Sequence, residues 1–398
     1  MANTLLTVDQ ITREALRILH QKAVFISSIN RAYDASFANE GAKIGDTLRI
    51  RLPNQYTVRS GAALNVQDVT ETNVSLQVAT QVGVDVNFSS VELTMDMEDF
   101  SRRILDPAIS VLAANIESTA LGMRDDVYNI VDNDAAALSF LNILQGRQQL
   151  NENLAPDDNQ RTALLSNAHS ATLVNALSGL FNDQGRIAEQ YTEGQMGRAG
   201  GFMFMESSLA DDHTTGTGAA GDTTYNVNGV GQTGASIIVD GGTTTFLVGD
   251  IITFAGSNRV HPESKVDTGS LQTFVITANS GASATTLAIS PAIVVTGAAQ
   301  NVTASPTEDG AVSKIGAGNA ELYSGSVVYH KDAFTFATAD LIMPDGVDFA
   351  SRQVFDGISM RIVRQYDINN DTIPARIDVL HGQTAIRPEL ACRIHADG

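Results

Sequence analysis

The sequence predicts an α+β protein with an all-β barrel or sandwich set into it, on three observations. Alternating extended segments lie between Gly45 and Ser90, and a long amphipathic helical stretch begins at Asp106. A glycine- and threonine-rich tract of short apolar runs occupies about residues 211–320. With 398 residues, 43% of them apolar, the chain is long enough for two or three domains and too apolar for wholesale disorder.

Thr7 and Gln10 form a capping box ahead of Val8, Ile11, Ala15, Leu16, Ile18 and Leu19 at helical spacing. They predict a short amphipathic helix in an arm over 1–40, docked on its own body or on a neighbour. An extended β loop over 41–90 follows. Leu48, Ile50 and Leu52 alternate with Thr47, Arg49 and Arg51, Pro53-Asn54 turns the chain, and a second run covers Asn73–Phe88. A two-stranded excursion of this kind is marginal alone in water and predicts a partner surface.

Asp106-Pro107 supplies an N-cap and a first-turn proline. Ile109, Leu112, Ile116, Ala120, Met123, Val127 and Ile130 then recur every three or four residues. They predict a spine helix of roughly 25 residues, about 37 Å long, within a domain over 91–170. A second helix is expected over Ala135–Leu150, ending near Gly146 or the Asn-rich run at Asn151. A buried strand is expected at Thr162–Ser166, a helix at Ala168–Leu180, and a strand at Phe202–Met205. A further domain part spans 171–210.

In the tract 211–320, Ser236–Val239, Thr245–Val248, Asp250–Phe254, Gln272–Thr277 and Thr286–Ile289 read as strands between glycine turns. Closing strands at Ser326–His330, Met360–Arg364 and Ile373–Ile394 complete the surrounding chain over 321–398.

The formal net charge is −20, and no basic face of the kind that grips nucleic acid is visible. Through Ser90 there are eight Lys/Arg and eight Asp/Glu, so the net acid lies beyond it. Either the neutral segment lies against an acidic body or the asymmetry is chance sampling. The single cysteine, Cys392, excludes an internal disulfide and reads as a core thiol. The N-terminus lacks a basic region and an apolar core, and no run of eighteen apolar residues occurs. The expectation is a chain neither secreted by a standard signal nor crossing a membrane.

Chemistry-bearing motifs dissolve on inspection. Gly229-Val-Gly231-Gln-Thr-Gly234 matches a dinucleotide fingerprint, yet a strand follows it where the phosphate site needs a helix. Asp367-Ile-Asn369-Asn-Asp371 opens like a calcium loop but has Thr372 in place of the turn glycine, and a β-turn is expected. Asp211-Asp212-His213 reads as a solvated turn, and the seven histidines show no zinc spacing. No catalytic, cofactor-binding or metal site is expected, and the chain is read as no enzyme.

The order of parts carries a resemblance. Glu92-Leu through Asp99-Phe-Ser-Arg102-Arg103-Ile, then Ala113-Ala-Asn-Ile-Glu117, look like an acidic lead-in and spine. Gln195–Ser207 with Ala199-Gly-Gly-Phe, Gly249-Asp-Ile-Ile-Thr-Phe-Ala-Gly256, and Gly382 to Arg387-Pro-Glu389 look like the entry to an insertion, a strand within it, and the closing stretch. Together they resemble the Hong Kong 97-like fold of tailed-bacteriophage major capsid (coat) proteins. That fold has an N-terminal arm, extended β loop, long spine helix, and peripheral and axial domains. The match narrows to short-tailed lambdoid phage coat proteins, which carry an inserted β-barrel domain. In this chain the inserted barrel looks shorter, with pruned loops.

The resemblance implies self-assembly into pentamers and hexamers of an icosahedral procapsid, with a scaffolding protein and a portal complex as partners. The shell would enclose double-stranded DNA without tight specific binding and without a membrane. It would be assembled in the host bacterial cytoplasm as part of the virion capsid. The competing class is a bacterial surface or adhesive protein with an Ig-like module, suggested by the Gly/Thr-rich tract. By the same resemblance the loop reaches over a neighbour. Arg49, Arg51 and Arg59 then either pair with the neighbour's Asp96, Glu98, Asp99 and Asp106 or stand as solvated strand edges.

Overall fold

A computed structural model describes residues 23–33, 46–59, 61–64, 66–67, 71–88, 106–177, 197–210, 212–221, 223–316, 320–323, 325–355, 358–369 and 372–397. The helix expected over Val8–Leu19 lies outside them. The first elements are the short helix α1 (Val24–Ser28) and the strands β1 (Asp46–Arg51), β2 (Asn73–Val78) and β3 (Thr80–Phe88). Helix α2 (Asp106–Leu121) tightens into a 3-10 turn at Gly122–Asp126, followed by β4 (Ile130–Ala137) and α3 (Phe140–Glu152). Next come β5 (Arg161–Leu165), α4 (Asn167–Leu177), β6 (Arg198–Ala199), β7 (Phe202–Glu206) and β8 (His213–Thr214). The glycine-rich tract supplies β9 (Asn226–Val227), β10 (Gly234–Asp240), β11 (Ile251–Val260), β12 (Asp267–Ile276), β13 (Thr286–Ile293) and β14 (Val312–Lys314). The chain closes through β15 (Leu322–Tyr323), β16 (Val327–His330), β17 (Phe334–Ala339), β18 (Phe349–Phe355), β19 (Ile358–Arg364), β20 (Ile373–Ala385) and β21 (Ala391–Asp397).

The described residues fall into two compact units. One takes those of 1–50, 73–121 and 334–386, the other those of 51–72, 122–333 and 387–398.

In the first unit β20 is the organising strand. Over Ile373–His381 it pairs antiparallel with all of β3. Its residues 375–378 also pair with β19, and 380–385 with β17, so those two strands share the edge opposite β3. Strand β18 pairs with β19, and β1 with β2. The alternation read in Asn73–Phe88 is present, but the run breaks at Ala79, because β2 pairs with β1 whereas β3 joins β20. The expectation that this excursion needs an outside partner is corrected for β3, whose partner lies almost 300 residues further along the chain. Two glycines permit the close approach. A Cβ at Gly382 would lie 2.0 Å from the Gln77 carbonyl oxygen, and one at Gly83 would lie 2.5 Å from that of Ile377. Helix α2 buries Ile109, Leu112, Ala113, Ile116 and Ala120 and leaves Val111 exposed, the single apolar stripe read from the sequence. The helix stops at Leu121, short of Ile130. Gly122 weakens it, and Ile130 is drawn into a parallel pairing of β4 with Arg393 of β21.

The second unit holds a six-stranded sheet in the order β4-β21-β16-β5-β7-β6, mixed because β4 runs parallel to β21 and β5 to β7. Every residue of β5 is buried, as expected of that short apolar run. In β7, by contrast, Phe202 is buried and Met203 is exposed. The helix expected over Ala135–Leu150 is divided. Residues up to Ala137 belong to β4, where sheet pairing overrides alanine's helix propensity, and α3 starts after Ser139. There the Ser139 N–H (2.9 Å) and hydroxyl (2.6 Å) both donate to Asn142 Oδ1. Gly146 does not end α3. It sits mid-helix, where a Cβ would meet Val328 Cγ2 at 2.8 Å, so its absence lets the helix lie close on β16.

The inserted strands run β14-β11-β12-β13-β10-β9. Hydrogen bonds of Val227 N–H to Gly310 O and Val312 N–H to Tyr225 O, both 2.9 Å, join the ends and close a small barrel. Its interior is filled by Tyr225, Phe246, Phe254, Phe274, Ile276, Leu287 and neighbouring aliphatics. Thr245–Val248 is no strand. Phe246 makes one bridge to Ser280 and serves as a core residue. Two-stranded β8-β15 is the stem through which the chain enters and leaves the barrel. No helix among the described residues is long and apolar enough to cross a membrane.

Gly382→Val is expected to destabilise the full chain by about 1–3 kcal/mol, the usual cost of overpacking. The readout is a lower denaturation midpoint at unchanged slope, and a midpoint equal to the wild type contradicts the tight pass of β2 over β20.

Candidate interaction surfaces

The loop between β1 and β2 carries the first candidates. Arg49 is exposed on β1. Arg51, 78% exposed, lies 3.4 Å from Glu71 of its own chain. Arg59 turns inward on the loop, donating to the carbonyl oxygens of Gly61 and of Ala63, the latter at 2.9 Å. Two of the three arginines thus have partners within the chain, in geometries exposed enough to exchange. Of the acids set against them, Asp96, Glu98 and Asp99 lie outside the described residues, and Asp106 opens α2. The sequence reading overlooked the apolar side chains of this loop. Val58 is 98% exposed, Leu64 81%, Val66 76% and Tyr56 60%. The signal was available, since Tyr56/Val58 and Leu64/Val66 alternate on either side of the Gly61 turn.

Part of the N-terminal arm docks on its own chain. Helix α1 buries Phe25 and Ile26, and Phe25 meets Phe334 edge-on at 5.6 Å. The first-turn N–H groups of a helix lack intrahelical acceptors. Glu117, buried on α2, supplies them, accepting the Phe25 N–H through Oε1 and the Ile26 N–H through Oε2 at 3.3 Å. Burial pushes the Glu117 carboxyl up to about 7, outweighing the backbone hydrogen bonds that pull it down.

The second unit holds a buried polar seam where the barrel joins the six-stranded sheet. His213 is no solvated turn residue. Its Nε2 lies 3.1 Å from Asp250 Oδ1, with the imidazole 11% exposed and the carboxylate fully buried, because the β8-β15 pair carries it inward. Asp250 Oδ2 also accepts the N–H groups of Leu247 (2.8 Å) and Gly216 (3.0 Å), so one carboxylate organises the barrel's entrance. Arg393 on β21 donates to Gly249 O at 2.6 Å, and Arg259 on β11 reaches Gln149 Oε1 at 3.0 Å and the Glu152 carboxylate on α3. Cys392 is fully buried and its thiol is pushed up to about 12 by burial, in keeping with a core role.

Gly229 and Gly231 take positive φ in a turn that feeds strand β10, and Asp367 bridges Thr372. Among the described residues no group of His, Cys, Asp and Glu is placed to hold a metal ion.

The family model described as P22 coat protein matches residues 1–393 of the chain. Among solved structures, one from Mycobacterium phage Che8 is 10% identical at a TM-score of 0.48, with 93% of this chain and 90% of that chain covered. The capsid of Ralstonia phage GP4 is 8% identical at a TM-score of 0.48, with 95% and 92% covered. The CUS-3 coat protein I-domain is 31% identical at a TM-score of 0.18, covering 26% of this chain and 94% of its own. No curated protein matches.

Glu117 generates a pH dependence. Its folded pKa lies above its ordinary value of 4.5, so the folded chain binds the proton more tightly than the unfolded one. The stability this contributes is whole below about pH 4.5 and is lost as pH rises through about 7. The wild type is expected to lose up to about 3 kcal/mol from this group across that window, and Glu117→Gln to remove that slope. Denaturant titrations from pH 4 to 8 check it; a difference between the two proteins that is constant with pH contradicts it.

Proposed function

The chain belongs to the P22 coat protein family, and from that premise we propose that its copies assemble as pentamers and hexamers of an icosahedral procapsid in the host bacterial cytoplasm. Its role as a structural major capsid protein of a tailed phage, self-associating into the virion shell, is that of its family. The finer reading adds a scaffolding protein and a portal complex as partners, and double-stranded DNA enclosed without a specific grip. It also excludes catalysis and resident cofactors. A formal charge of −20 supports a container that does not hold its cargo tightly. A surface or adhesive protein with an Ig-like module is not favoured, because the family match runs across the mixed chain and not the Gly/Thr-rich tract alone.

One observation carries the assembly reading: the loop between β1 and β2 exposes Tyr56, Val58, Leu64 and Val66 beside basic side chains. Apolar groups this exposed gain by burial, about 25 cal/mol per Å². A neighbouring copy is the partner that a shell subunit always has. Arg49, Arg51 and Arg59 then meet Asp96, Glu98, Asp99 and Asp106 of that copy. An exposed pair contributes roughly 0–1 kcal/mol, yet a closed shell repeats it at every equivalent contact. Arg49→Glu with Arg51→Glu is expected to slow shell formation about tenfold or more at low salt, followed by light scattering, and to weaken its salt dependence. Unchanged yield and salt dependence, with the subunit folded, rule the pairing out.

The tract 211–320 is proposed as an autonomous inserted domain. The other parts are the arm over 1–40, the loop over 41–90, the peripheral domain over 91–170, and axial or closing segments over 171–210 and 321–398. Barrel closure and a core of its own support the insertion. The isolated 211–320 fragment is expected to unfold cooperatively with a β-type circular dichroism spectrum; a non-cooperative, coil-like fragment contradicts the assignment.

A further inference from the structure

The barrel's stem rests on a buried histidine. His395, on β21, is buried, and its ring lies flat on Tyr323 of β15, with centroids 3.9 Å apart and planes 9° apart. Tyr323 pairs in turn with His213 across the β8-β15 stem, and His213 reaches Asp250 at the barrel's entrance. A chain of direct contacts therefore runs from the sheet, through one imidazole, to both strands by which the chain enters and leaves the barrel.

The charged groups around that imidazole give it no counter-ion. On its own strand, buried Arg393 donates to Gly249 O at 2.6 Å and lies 3.9 Å from Asp125. The 3-10 turn contributes Arg124, buried, with its Nε 3.5 Å from the same Asp125, and Asp126 follows it. Asp250 is engaged by His213 and two backbone N–H groups. From α4 comes His169, with Nε2 3.0 Å from Ala396 O and Nδ1 2.8 Å from Ser326 Oγ. On β4 the register partner of His395 is Asp132, an exposed residue. Asp250, the fully buried carboxylate among these, is thus committed elsewhere, and His395 Nδ1 has no hydrogen-bond partner among the described residues.

We propose that this stem is an acid-sensitive joint: a proton taken up by His395 drives its ring off Tyr323 and releases the barrel's stem from β21. A protonated imidazole left in place finds no acceptor at Nδ1, and the charges that act on it are cationic. Hydrating it requires the ring to leave the stack, and the two-residue pairing of β8 with β15 then loses its cover. Burial first, then Arg393, His213, Arg124 and His169, hold the His395 imidazole well below the usual histidine range. The sign follows from that depression. Stability from neutral His395 is present above the ordinary histidine pKa of 6.5 and is lost as pH falls below it. His169, also lowered, with burial the largest cause, adds an acid response that does not pass through the stem's stack.

Hydrogen exchange of the full unassembled chain at pH 8 and pH 5, corrected for intrinsic rates, tests the joint without requiring a shell. The opening constant at 213–216, 321–323 and 391–396 is expected to rise roughly 30-fold in acid, the factor for a group with an open-state pKa of about 6.5 and a much lower closed one. Barrel strand β12 is expected to keep its protection. His395→Phe keeps a ring on Tyr323 that takes no proton, and its stem is expected to respond several-fold less. Equal stem protection of the wild type at both pH values overturns the proposal, as does a variant that opens in acid as the wild type does. Should the variant not fold, the imidazole titration of His395 in the wild type, read by nuclear magnetic resonance, decides: a midpoint at or above 6.5 overturns the joint, and one well below it supports it.

Discussion

The pairing of β3 with β20 is the constraint on which the first unit depends. Strand β20 has thirteen residues and spends both edges, β3 along one and β19 and β17 in succession along the other. An isolated two-stranded ribbon is marginal in water, and here nine residues of β3 convert such a ribbon into the flank of a larger sheet. The approach of β3 to β20 excludes a side chain at Gly83, and that of β2 to β20 excludes one at Gly382. Leu76 and Val78 of β2 are then fully buried, while the segment between β1 and β2 keeps its apolar side chains in solvent. Rigid strands before and after an exposed, amphipathic connection are what a subunit needs if its contacts with copies of itself are to be made in one geometry.

Weak contacts suit that use. A shell subunit must find its place among many equivalent ones and leave a wrong one, so each contact has to be individually small and collectively large. Half-exposed pairs such as Arg51 with Glu71 and Arg376 with Asp85 have low net worth in water and can exchange partners. Buried polar groups behave differently. Glu117, Asp250 and Arg393 are desolvated and held by specific hydrogen bonds, and removing one partner leaves the other stranded at a cost of several kcal/mol. Adaptable contacts at the surface and obligate ones at the internal joints divide the labour within one acidic chain.

Much of this was legible in the residues, because the signals are local. The stripe of Ile109, Leu112 and Ile116, the buried run of β5, the alternation of β1 and β3, and the spacing of four barrel strands depend on nearest neighbours. What escaped depends on distant ones. Nothing near Ile130 says that it pairs with Arg393, so the spine helix reads as longer than it is. Gly146 looks like a helix terminator because Val328, against which it lies, is far along the chain. His213 looks solvated because its partner Asp250 is reached only after the stem has formed. Of the candidate site, alternation singled out Arg49 and Arg51, and position near the turn singled out Arg59. The exposed side chains of Tyr56, Val58, Leu64 and Val66 in the same loop were missed, because apolar residues in a strand-rich segment are ordinarily assigned inward.

The central claim is that the loop between β1 and β2 is built to be completed by a neighbouring copy. A reconstruction of the assembled shell by electron cryomicroscopy, at a resolution that shows side chains, tests it most directly. The account expects Tyr56, Val58, Leu64 and Val66 buried on an adjacent subunit, with at least one of Arg49, Arg51 and Arg59 beside that subunit's acidic residues. A shell in which these four side chains remain in solvent, or pack only on their own chain, contradicts it.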